Sequence, residues 1–402
     1  MRFFYLLLLL TVSFGLSAQK VELKGDCLDA VEIAAKGSHK FETSPCWPGE
    51  VLEISGNSSS SSMYFEEETH SAWFRFEALS DDYLTFKIYP ADTDADFDFM
   101  LFKYTDEDFC ADVKDKSVKP VRSNISRNNP EFLSATGLSM GATEKFVRSG
   151  PGNHYSNAIK TERGDCYYLV LNNVNGSETA FSLAFSYYTT KPVSGVVKDE
   201  ETGDPISNAT VSWEEKHGEV LAESGTNTNG EYSFEAPVQK GNRMRDYVFA
   251  VDGKKYLFNE QVVTTSENHK LEPLVTLLPK LSAGLKMTLR NINFYGGKAT
   301  PLPSSRPSFR RLLKLMRKNP SLEILIEGHT NGCYRGIGGK EHSQRLSENR
   351  ANRVKQFLVN RGVSEKRMKA EGFNCSQMLY PNPKSDKEAR LNRRVELRVI
   401  SY

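Results

Sequence analysis

The chain has 402 residues, of which 39% are hydrophobic and 26% charged, and its formal net charge is +1. This length leaves room for two or three domains, because one domain typically takes roughly 100 to 200 residues. Beyond the N-terminus no apolar segment approaches the roughly 20 residues that a membrane-spanning helix needs, so a chain that is itself transmembrane through helices is excluded.

The first residues have the pattern of a secretory signal peptide. A basic start, an apolar run and small residues ending at Ala18 predict a signal peptide over residues 1–18, with cleavage after Ala18. A lipoprotein would carry a cysteine directly after the apolar run, whereas the first cysteine, Cys27, follows charged residues. We therefore expect an exported chain without a lipid anchor, in an oxidising compartment, the periplasm.

Six cysteines fit an oxidising compartment. Pairing within domains predicts three disulfides: Cys27–Cys46, Cys110–Cys166 and Cys333–Cys375. The connectivity of the first four cysteines stays open, because sequence alone does not fix it. The last pair is the safest, since no other cysteine lies in that region.

From residue 19 to residue 190 the chain shows short runs of alternating apolar and polar residues that are rich in aromatic side chains. The runs are SAWFRFEA, DYLTFKIYP, DFDFMLFKY, CYYLVLNN and AFSLAFSYY, with clusters of Gly, Asn, Ser and Asp between them. This pattern predicts an antiparallel all-β sandwich. It resembles the jelly-roll-like pre-peptidase or CUB-like sandwiches of secreted bacterial proteins.

The stretch GLSMG, residues 137–141, matches the G-x-S-x-G nucleophile elbow around Ser139. That motif needs a strand before the serine and a helix after it. The surrounding Ser, Thr, Gly and Asn residues predict loops inside a β-sandwich instead. A secreted hydrolase is therefore the lesser alternative.

The stretch DTDADFDF places four carboxylates at alternate positions: Asp92, Asp94, Asp96 and Asp98. Calcium needs six or more oxygen ligands, here from several segments. If this stretch is a strand, the last two aspartates share one face and the phenylalanines share the other. We favour a solvated face over an aromatic core, with a calcium-dependent adhesin as the alternative.

The pattern changes after Pro192, which predicts a second domain over residues 192–280. VSGVVKDEETGDPISNATVSWEE is followed by TNTNGEYSFEAPV and YVFAVDGKKYLF, with turns at residues 202–205 and 229–230. The T-G-x-P turn, N-A-T-V and N-G-E-Y-S-F resemble the carboxypeptidase regulatory-like family. That resemblance implies a transthyretin-like β-sandwich that acts as a spacer or docking module without catalysis of its own.

From residue 285 to residue 402 strands and helices alternate. TLRNINF, LEILIEG, MKAEGF and RRVELRVIS predict strands, while PSFRRLLKLMRKN and SQRLSENRANRVKQFLVNRG have the apolar spacing of amphipathic helices. The order predicts an α/β sandwich of type β-α-β-α-β-β.

Three motifs within this frame resemble the C-terminal domain of the outer membrane protein A (OmpA-like) family: GHTN at residues 328–331, LSENRANRV at residues 346–354 and NRRVE at residues 392–396. The resemblance implies non-covalent binding of peptidoglycan through the diaminopimelate of its stem peptide. A guanidinium meets a carboxylate through two parallel hydrogen bonds. The family motif places that role on Arg350.

The remaining binding positions implied by the motifs are Thr330, Asn331, Leu346 and Arg394. The family has an aspartate where this chain has Asn331, so the acceptor for the ligand's ammonium group loses its charge and weaker binding is expected. Arg394 is a second cation for the ligand or, equally, an arginine that ties the last strand to the helix.

His329, Cys333 and His342 have ligand types that zinc accepts, yet the oxidising compartment and the partner cysteine argue against zinc. We expect no metal and no cofactor in this domain.

Residues 286–402 contain 25 Lys and Arg against 9 Asp and Glu. This asymmetry predicts an anionic partner, although an exported chain rarely meets nucleic acid, so nucleic acid is not expected. Six cations crowd one predicted helix and suggest attraction to anionic cell wall or lipopolysaccharide: Arg306, Arg310, Arg311, Lys314, Arg317 and Lys318.

These patterns predict a non-enzymatic cell-envelope protein of a Gram-negative bacterium, by analogy one of the Bacteroidota. Its C-terminal domain binds peptidoglycan, and its β-sandwich modules reach another envelope or outer-membrane protein, such as one of a secretion or motility complex. The alternatives are a wall-targeted hydrolase and a calcium-dependent adhesin.

Overall fold

The structure is a computed structural model that describes residues 22–128, 133–150, 153–216, 218–289, 292–333 and 339–402. The predicted signal peptide, residues 1–18, lies outside the described residues. Within these ranges no helix is long and apolar enough to cross a membrane.

The first module is rich in β-structure, as predicted. Its elements are β1 (Val31–Glu32), β2 (Gly37–Phe41), β3 (Ser71–Glu77), β4 (Tyr83–Pro90), β5 (Phe97–Lys103), α1 (Phe109–Asp115), β6 (Arg122–Asn124), β7 (Thr136–Ser139), β8 (Phe146–Val147), β9 (Tyr155–Asn157), β10 (Ile159–Lys160), β11 (Cys166–Asn173) and β12 (Phe181–Asp199). One sheet has the order β1-β3-β11-β5-β6-β8, and a second contains β12, β4, β7 and β9 with β2 and β10 at its side. The jelly-roll-like and CUB-like resemblances stay predictions.

Two apolar cores sandwich the first sheet. Phe97, Phe99 and Leu101 of β5 point toward the second sheet, while Met100 and Phe102 point to the opposite face. That opposite face packs against helix α1 and residues of the 53–65 segment. Because both faces are covered, β5 is buried along nearly its whole length.

The favoured prediction of a solvated face through Asp96 and Asp98 is wrong for Asp98. Its side chain is only 8% exposed. The second core covers the face that the alternating pattern would leave to solvent. Asp96 is half-buried.

The predicted pairing of the first four cysteines is wrong. The structure pairs Cys27 with Cys110 (Cα–Cα 5.8 Å) and leaves Cys46 and Cys166 as free thiols. Cys27 is fully buried in the second core, against which Cys110 on α1 packs. Tertiary packing therefore joins residues 83 positions apart.

The middle module continues directly from the first. Its strands are β13 (Thr210–Glu215), β14 (Val220–Gly225), β15 (Glu231–Gln239), β16 (Arg245–Asp252), β17 (Asn259–Thr265) and β18 (Leu274–Leu278). The sheet β14-β13-β16-β17 packs on a layer made by β12, β15 and β18, around the fully buried Trp213. The carboxypeptidase regulatory-like assignment and the limits 19–190, 192–280 and 285–402 stay predictions.

Strand β12 crosses the predicted boundary at Pro192 without a break. It pairs with β4 up to residue 188, with β18 from residue 195, and with β15 across the gap. Proline lacks an N–H and is tolerated where one side of a strand is unpaired. Pro192 therefore fits within a strand that serves both modules.

The C-terminal module has the predicted order of strands and helices, with one addition, but its first strand ends at Thr288, where the predicted strand TLRNINF begins. Its elements are β19 (Lys286–Thr288), α2 (Arg306–Lys318), β20 (Glu323–Gly328), α3 (Gly339–Val359), β21 (Met368–Gly372), α4 (Asp386–Asn392) and β22 (Val395–Ser401). The sheet order is β19-β22-β20-β21, with β20 and β21 parallel. The short helix α4, capped by Ser385, was not predicted.

Helix α2 faces the acidic middle module, and part of its charge is met there rather than by an external partner. Arg311 is 5% exposed and forms a bidentate pair with Glu214 at 3.0 and 3.1 Å. Lys314 lies 3.0 Å from Asp252. At least two of the six cations on this helix, Arg311 and Lys314, are therefore paired with carboxylates within the chain.

Candidate functional site

The candidate site begins where β20 ends. Gly328 is in close contact with α3, because an added Cβ would lie 2.1 Å from the carbonyl oxygen of Ser347. A second glycine, Gly372, ends β21 under the same serine, whose Oγ would be 2.4 Å from an added Cβ. These two glycines let the helix cross both strand ends closely and bring the GHTN stretch beside α3.

Backbone hydrogen bonds hold the GHTN stretch on both sides. The N–H of His329 donates to the carbonyl of Arg394 (3.0 Å), and the N–H of Thr330 donates to the carbonyl of Asn374 (2.8 Å). Thr330 is buried, and its hydroxyl donates to the carbonyl of Gly332 at 3.3 Å. Asn331 follows directly and is half-buried. These hydrogen bonds thus hold the GHTN stretch in place without a ligand.

Arg350 lies on α3 one turn beyond Ser347. Its side chain is 3% exposed, its Nε donates to the carbonyl of Lys298 (3.2 Å), and its guanidinium lies 5.2 Å from the ring centroid of Phe294. Three residues of helix span about 4.5 Å, so Arg350 lies close to the Gly328–Ser347 contact. The structure therefore places Arg350 and the GHTN stretch in one region of the module.

Leu346 has a structural position. It is 7% exposed and belongs to the buried stripe of α3, which also contains Ser347, Ala351 and Val354.

Asn331 is oriented by a residue that sequence reasoning did not assign to the site, Asn392 at the end of α4. Asn392 accepts from the N–H of Tyr380 (2.9 Å) and donates to its carbonyl (2.7 Å), which fixes the orientation of its amide. The same Nδ2 donates to Oδ1 of Asn331 at 2.7 Å. Asn392 is the first residue of the NRRVE motif, so the sequence signal was present.

Arg394 has the contacts of an arginine that ties the structure together. It is 6% exposed, its Nε donates to Oε1 of Glu396 (2.7 Å), and its Nη2 donates to the carbonyl of Gln377 (3.1 Å). Nε2 of His329 lies 3.4 Å from Oε2 of the same glutamate. Hydrogen bonding from His329 and the charge of Arg394 lower the pKa of Glu396 to about 2.

Glu327, His329 and Glu396 bring three possible metal-ligand atoms within 4.8 Å of one another. Cations already occupy this cluster: Lys286 lies 3.1 Å from Glu327, Arg398 also pairs with Glu327, and Arg394 pairs with Glu396. Fixed positive charges at these carboxylates disfavour a metal ion. The cluster fits a buried ion-pair network.

The disulfide Cys333–Cys375 is confirmed, with a Cα–Cα distance of 5.3 Å. It joins the loop after β20 to the segment after β21, as expected for two segments at one edge of the sheet. Because Cys333 is bonded to Cys375, the grouping of Cys333 with His329 and His342 as zinc ligands is wrong. Residues 334–338, which follow Cys333, lie outside the described residues.

Ser139 ends strand β7, and a turn follows it. The nucleophile elbow requires a helix at that point. Ser139 is 3% exposed, and its hydroxyl accepts from the N–H of Gly141 at 3.1 Å. These observations do not support the hydrolase alternative.

Comparisons with known proteins agree with the motifs of this region. Residues 293–393 match the model of the OmpA family. Outer membrane porin F of Pseudomonas fluorescens is 34% identical over 109 residues, which are 27% of this chain and 32% of that protein. Outer membrane protein A of Buchnera aphidicola is 30% identical over 122 residues, 28% of this chain and 34% of that protein.

Among solved structures, the peptidoglycan-associated lipoprotein of Burkholderia pseudomallei is 21% identical, covers 27% of this chain and 87% of that chain, and has a TM-score of 0.24. The chain spans about a third of the length of the two curated relatives named above. The predicted OmpA-like domain near the C-terminus is thus confirmed at the level of the family match.

Proposed function

We propose that this chain is a non-enzymatic cell-envelope protein that binds peptidoglycan non-covalently through its OmpA-like domain. The observation that carries the proposal is the position of Arg350, a buried guanidinium held by the carbonyl of Lys298 and the ring of Phe294, one helical turn from the contact between Ser347 and Gly328 of the GHTN stretch. A guanidinium fixed in this way suits the carboxylate of diaminopimelate in the stem peptide, because little side-chain entropy is lost on binding.

Asn331 tunes the affinity in this proposal. One lone pair of its amide oxygen already accepts from Asn392, which leaves one uncharged acceptor position for the ligand's ammonium group. An aspartate would offer a charged oxygen, and charge-assisted hydrogen bonds contribute about 1.5 to 3 kcal/mol against about 1 kcal/mol for neutral ones. We therefore expect affinity about tenfold below that of the aspartate form.

In this proposal the two β-rich modules bind a partner protein while the OmpA-like domain binds the cell wall. The shared strand β12 and the buried pair Arg311–Glu214 connect the three modules through packed structure. Such a chain would hold an outer-membrane or other envelope protein at a set distance from the wall. This role places the mature protein in the periplasm, at the periplasmic face of the outer membrane.

Co-sedimentation of the full-length mature chain with purified peptidoglycan tests the proposal, at low salt and at 0.5 M salt. Arg350→Lys keeps the charge but loses the planar pair of donors, so we expect at least a tenfold loss of binding that persists at high salt. Asn331→Asp should strengthen binding about tenfold. Arg345→Ala, at an exposed position of the same helix, is the matched control and should bind as the wild type does.

Binding that disappears at 0.5 M salt and is equal in Arg350→Lys would show only general charge attraction. That result would overturn the assignment of a stem-peptide pocket. Near-ultraviolet circular dichroism of each variant establishes that the fold is kept.

A further inference from the structure

A cavity of about 360 Å³ opens on the outer face of the first module, far along the chain from the OmpA-like domain. Its floor is formed by Asp98 of β5 and Asn172 of β11, which are directly opposite each other in the sheet. Its walls include Tyr64, Thr69 and Arg127. The volume falls within the range of small-molecule sites, about 300 to 1,000 Å³.

Asp98 is the unusual group of this cavity. The residue is 8% exposed and lines the cavity, and no residue in the described part of the chain gives its carboxylate a hydrogen bond or an ion pair. Buried polar groups of native proteins nearly always have a partner, and an orphan requires an explanation. A ligand that satisfies the carboxylate is such an explanation.

The neighbours of Asp98 are already engaged. Oδ1 of Asn172 accepts from the N–H and the hydroxyl of Thr69 and from the N–H of His70, at 3.0 to 3.1 Å. Oδ1 of Asp96 accepts from the N–H of Asn128 at 2.8 Å. The hydroxyl of Tyr64 is buried without a partner among the described residues. Asp98 and Tyr64 therefore remain to meet a ligand.

The charges around the cavity favour a cation. Glu66, Glu67, Asp96 and Asp98 line it with four carboxylates, against the single guanidinium of Arg127. A calcium ion needs six to eight oxygens that converge on one point. Among the described residues, the only place where ligand atoms of three Asp, Glu, His or Cys residues come together is the distant cluster of Glu327, His329 and Glu396, not this cavity. The arrangement suits an organic cation, whose hydrogen bonds diverge from one nitrogen.

We propose that this cavity binds a small polar molecule carrying a primary ammonium group, with Asp98 accepting the hydrogen bond of that group. The hydroxyl of Tyr64 supplies a polar contact for the rest of the ligand, and the exposed Glu66 and Glu67 attract it to the entrance. Nothing in this assignment depends on peptidoglycan binding by the C-terminal module.

The pKa of Asp98 should change when an ammonium group binds. Burial first, and then the charge of Asp96, raise the pKa of Asp98 well above its usual range. The other titratable groups that line the cavity are Tyr64, Glu66, Glu67, Asp96 and Arg127. An ammonium ion bound against Asp98 favours the ionised carboxylate, so binding of the amine lowers the pKa of Asp98.

Isothermal titration of the full-length mature chain at pH 7 tests the proposal with three amines: glucosamine, ethanolamine and lysine. N-acetylglucosamine is the uncharged counterpart, and calcium chloride tests for a metal. We expect at least one amine to bind with a measurable heat. N-acetylglucosamine should not bind.

Asp98→Asn keeps the shape of the side chain and removes its charge, so it should weaken amine binding at least tenfold. Asp94→Asn, at an exposed position four residues earlier, is the matched control and should bind as the wild type does. The proposal is overturned if none of the three amines binds the wild type, if Asp98→Asn binds equally well, or if calcium binds in an Asp98-dependent manner. The contrast between the amines and N-acetylglucosamine in the wild type keeps the test decisive even if Asp98→Asn does not fold.

Discussion

Replacing Arg311 by alanine should loosen the junction between the middle and C-terminal modules more than any change at an exposed cation of the same helix. Arg311 and Glu214 are each 5% exposed, and Glu260 also pairs with Arg311. Removing the guanidinium leaves two carboxylates in a buried interface. Breaking a buried pair in this way costs about 3 to 5 kcal/mol, against about 0 to 1 kcal/mol for a surface pair.

Hydrogen exchange followed by mass spectrometry measures this effect locally, which matters because a chain of several modules does not unfold in two states. Amides of α2 should lose about two to three orders of magnitude of protection in Arg311→Ala, the equivalent of 3 to 4 kcal/mol. Arg317→Ala is the control, since Arg317 is exposed and donates only to the carbonyl of Arg361 in the described structure. It should change protection by less than about 0.5 kcal/mol.

The sign of the pH dependence provides a second check on the same variant. Burial raises the pKa of Glu214, and the charge of Arg311 opposes that rise. Without Arg311 the buried Glu214 carboxylate avoids the desolvation cost of its charge by taking up a proton. Because protonation is easier at low pH, the loss of protection should be smaller at pH 5 than at pH 8.

Replacing Arg311, Glu214 and Glu260 together by apolar residues of similar volume should restore much of the lost protection, because no charge is then left unpaired. A loss below about 1 kcal/mol in Arg311→Ala, equal at both pH values, would refute the reasoning.

Three further outcomes follow from the titratable groups and the disulfide. Burial raises the pKa of Glu53 to about 7 and that of Glu68 to about 8, so the folded state binds more protons than the unfolded state between about pH 4.5 and 8. The free energy of unfolding of the first module should therefore fall by up to a few kcal/mol across that range, and Glu68→Gln should flatten the urea-denaturation profile against pH. Glu396 shows the opposite sign, because its pKa of about 2 lies below the unfolded value. The free energy of unfolding should therefore fall by about 1 to 2 kcal/mol, allowing for solvent screening, as the pH drops from 4.5 to 2. This loss should be absent in Glu396→Gln. Replacing Cys333 and Cys375 by serine should destabilise the C-terminal module by about 4 kcal/mol, the chain-entropy value for a loop of this length. Chemical denaturation with and without reductant measures this loss. An unchanged denaturation midpoint would count against the chain-entropy value.

Local periodicity was enough to predict most of the helices and strands of the C-terminal module, although its first strand ends at Thr288, where the predicted strand begins. The apolar positions Phe309, Leu312, Leu313 and Met316 recur at helical spacing, and all four are buried on α2. Its strands are bounded by Gly, Asn and Pro, which the sequence displays directly. Helix α4 was missed because it has only seven residues and most of them are polar. The main local signal for this helix is its N-cap, Ser385.

The candidate site was predictable to the extent that its residues stand in contiguous motifs. Arg350, Thr330 and Asn331 were named from those motifs, and the structure places them in one region of the module. The contacts that orient them could not be predicted in this way. Asn392 holds Asn331 across 61 positions, and Lys298 holds Arg350 across 52.

The sequence by itself therefore determined the β-rich and α/β character of the modules, the Cys333–Cys375 bridge and the position of the family motifs, because each depends on local spacing or on a single available partner. Only the tertiary structure decided the Cys27–Cys110 bridge, the burial of Asp98 and the partner of the basic helix. Each of these depends on which surface covers another, and that is set by packing between segments distant in the chain. Part of the charge asymmetry that suggested an external anionic ligand is met inside the chain, since Arg311 and Lys314 of α2 pair with carboxylates of the middle module.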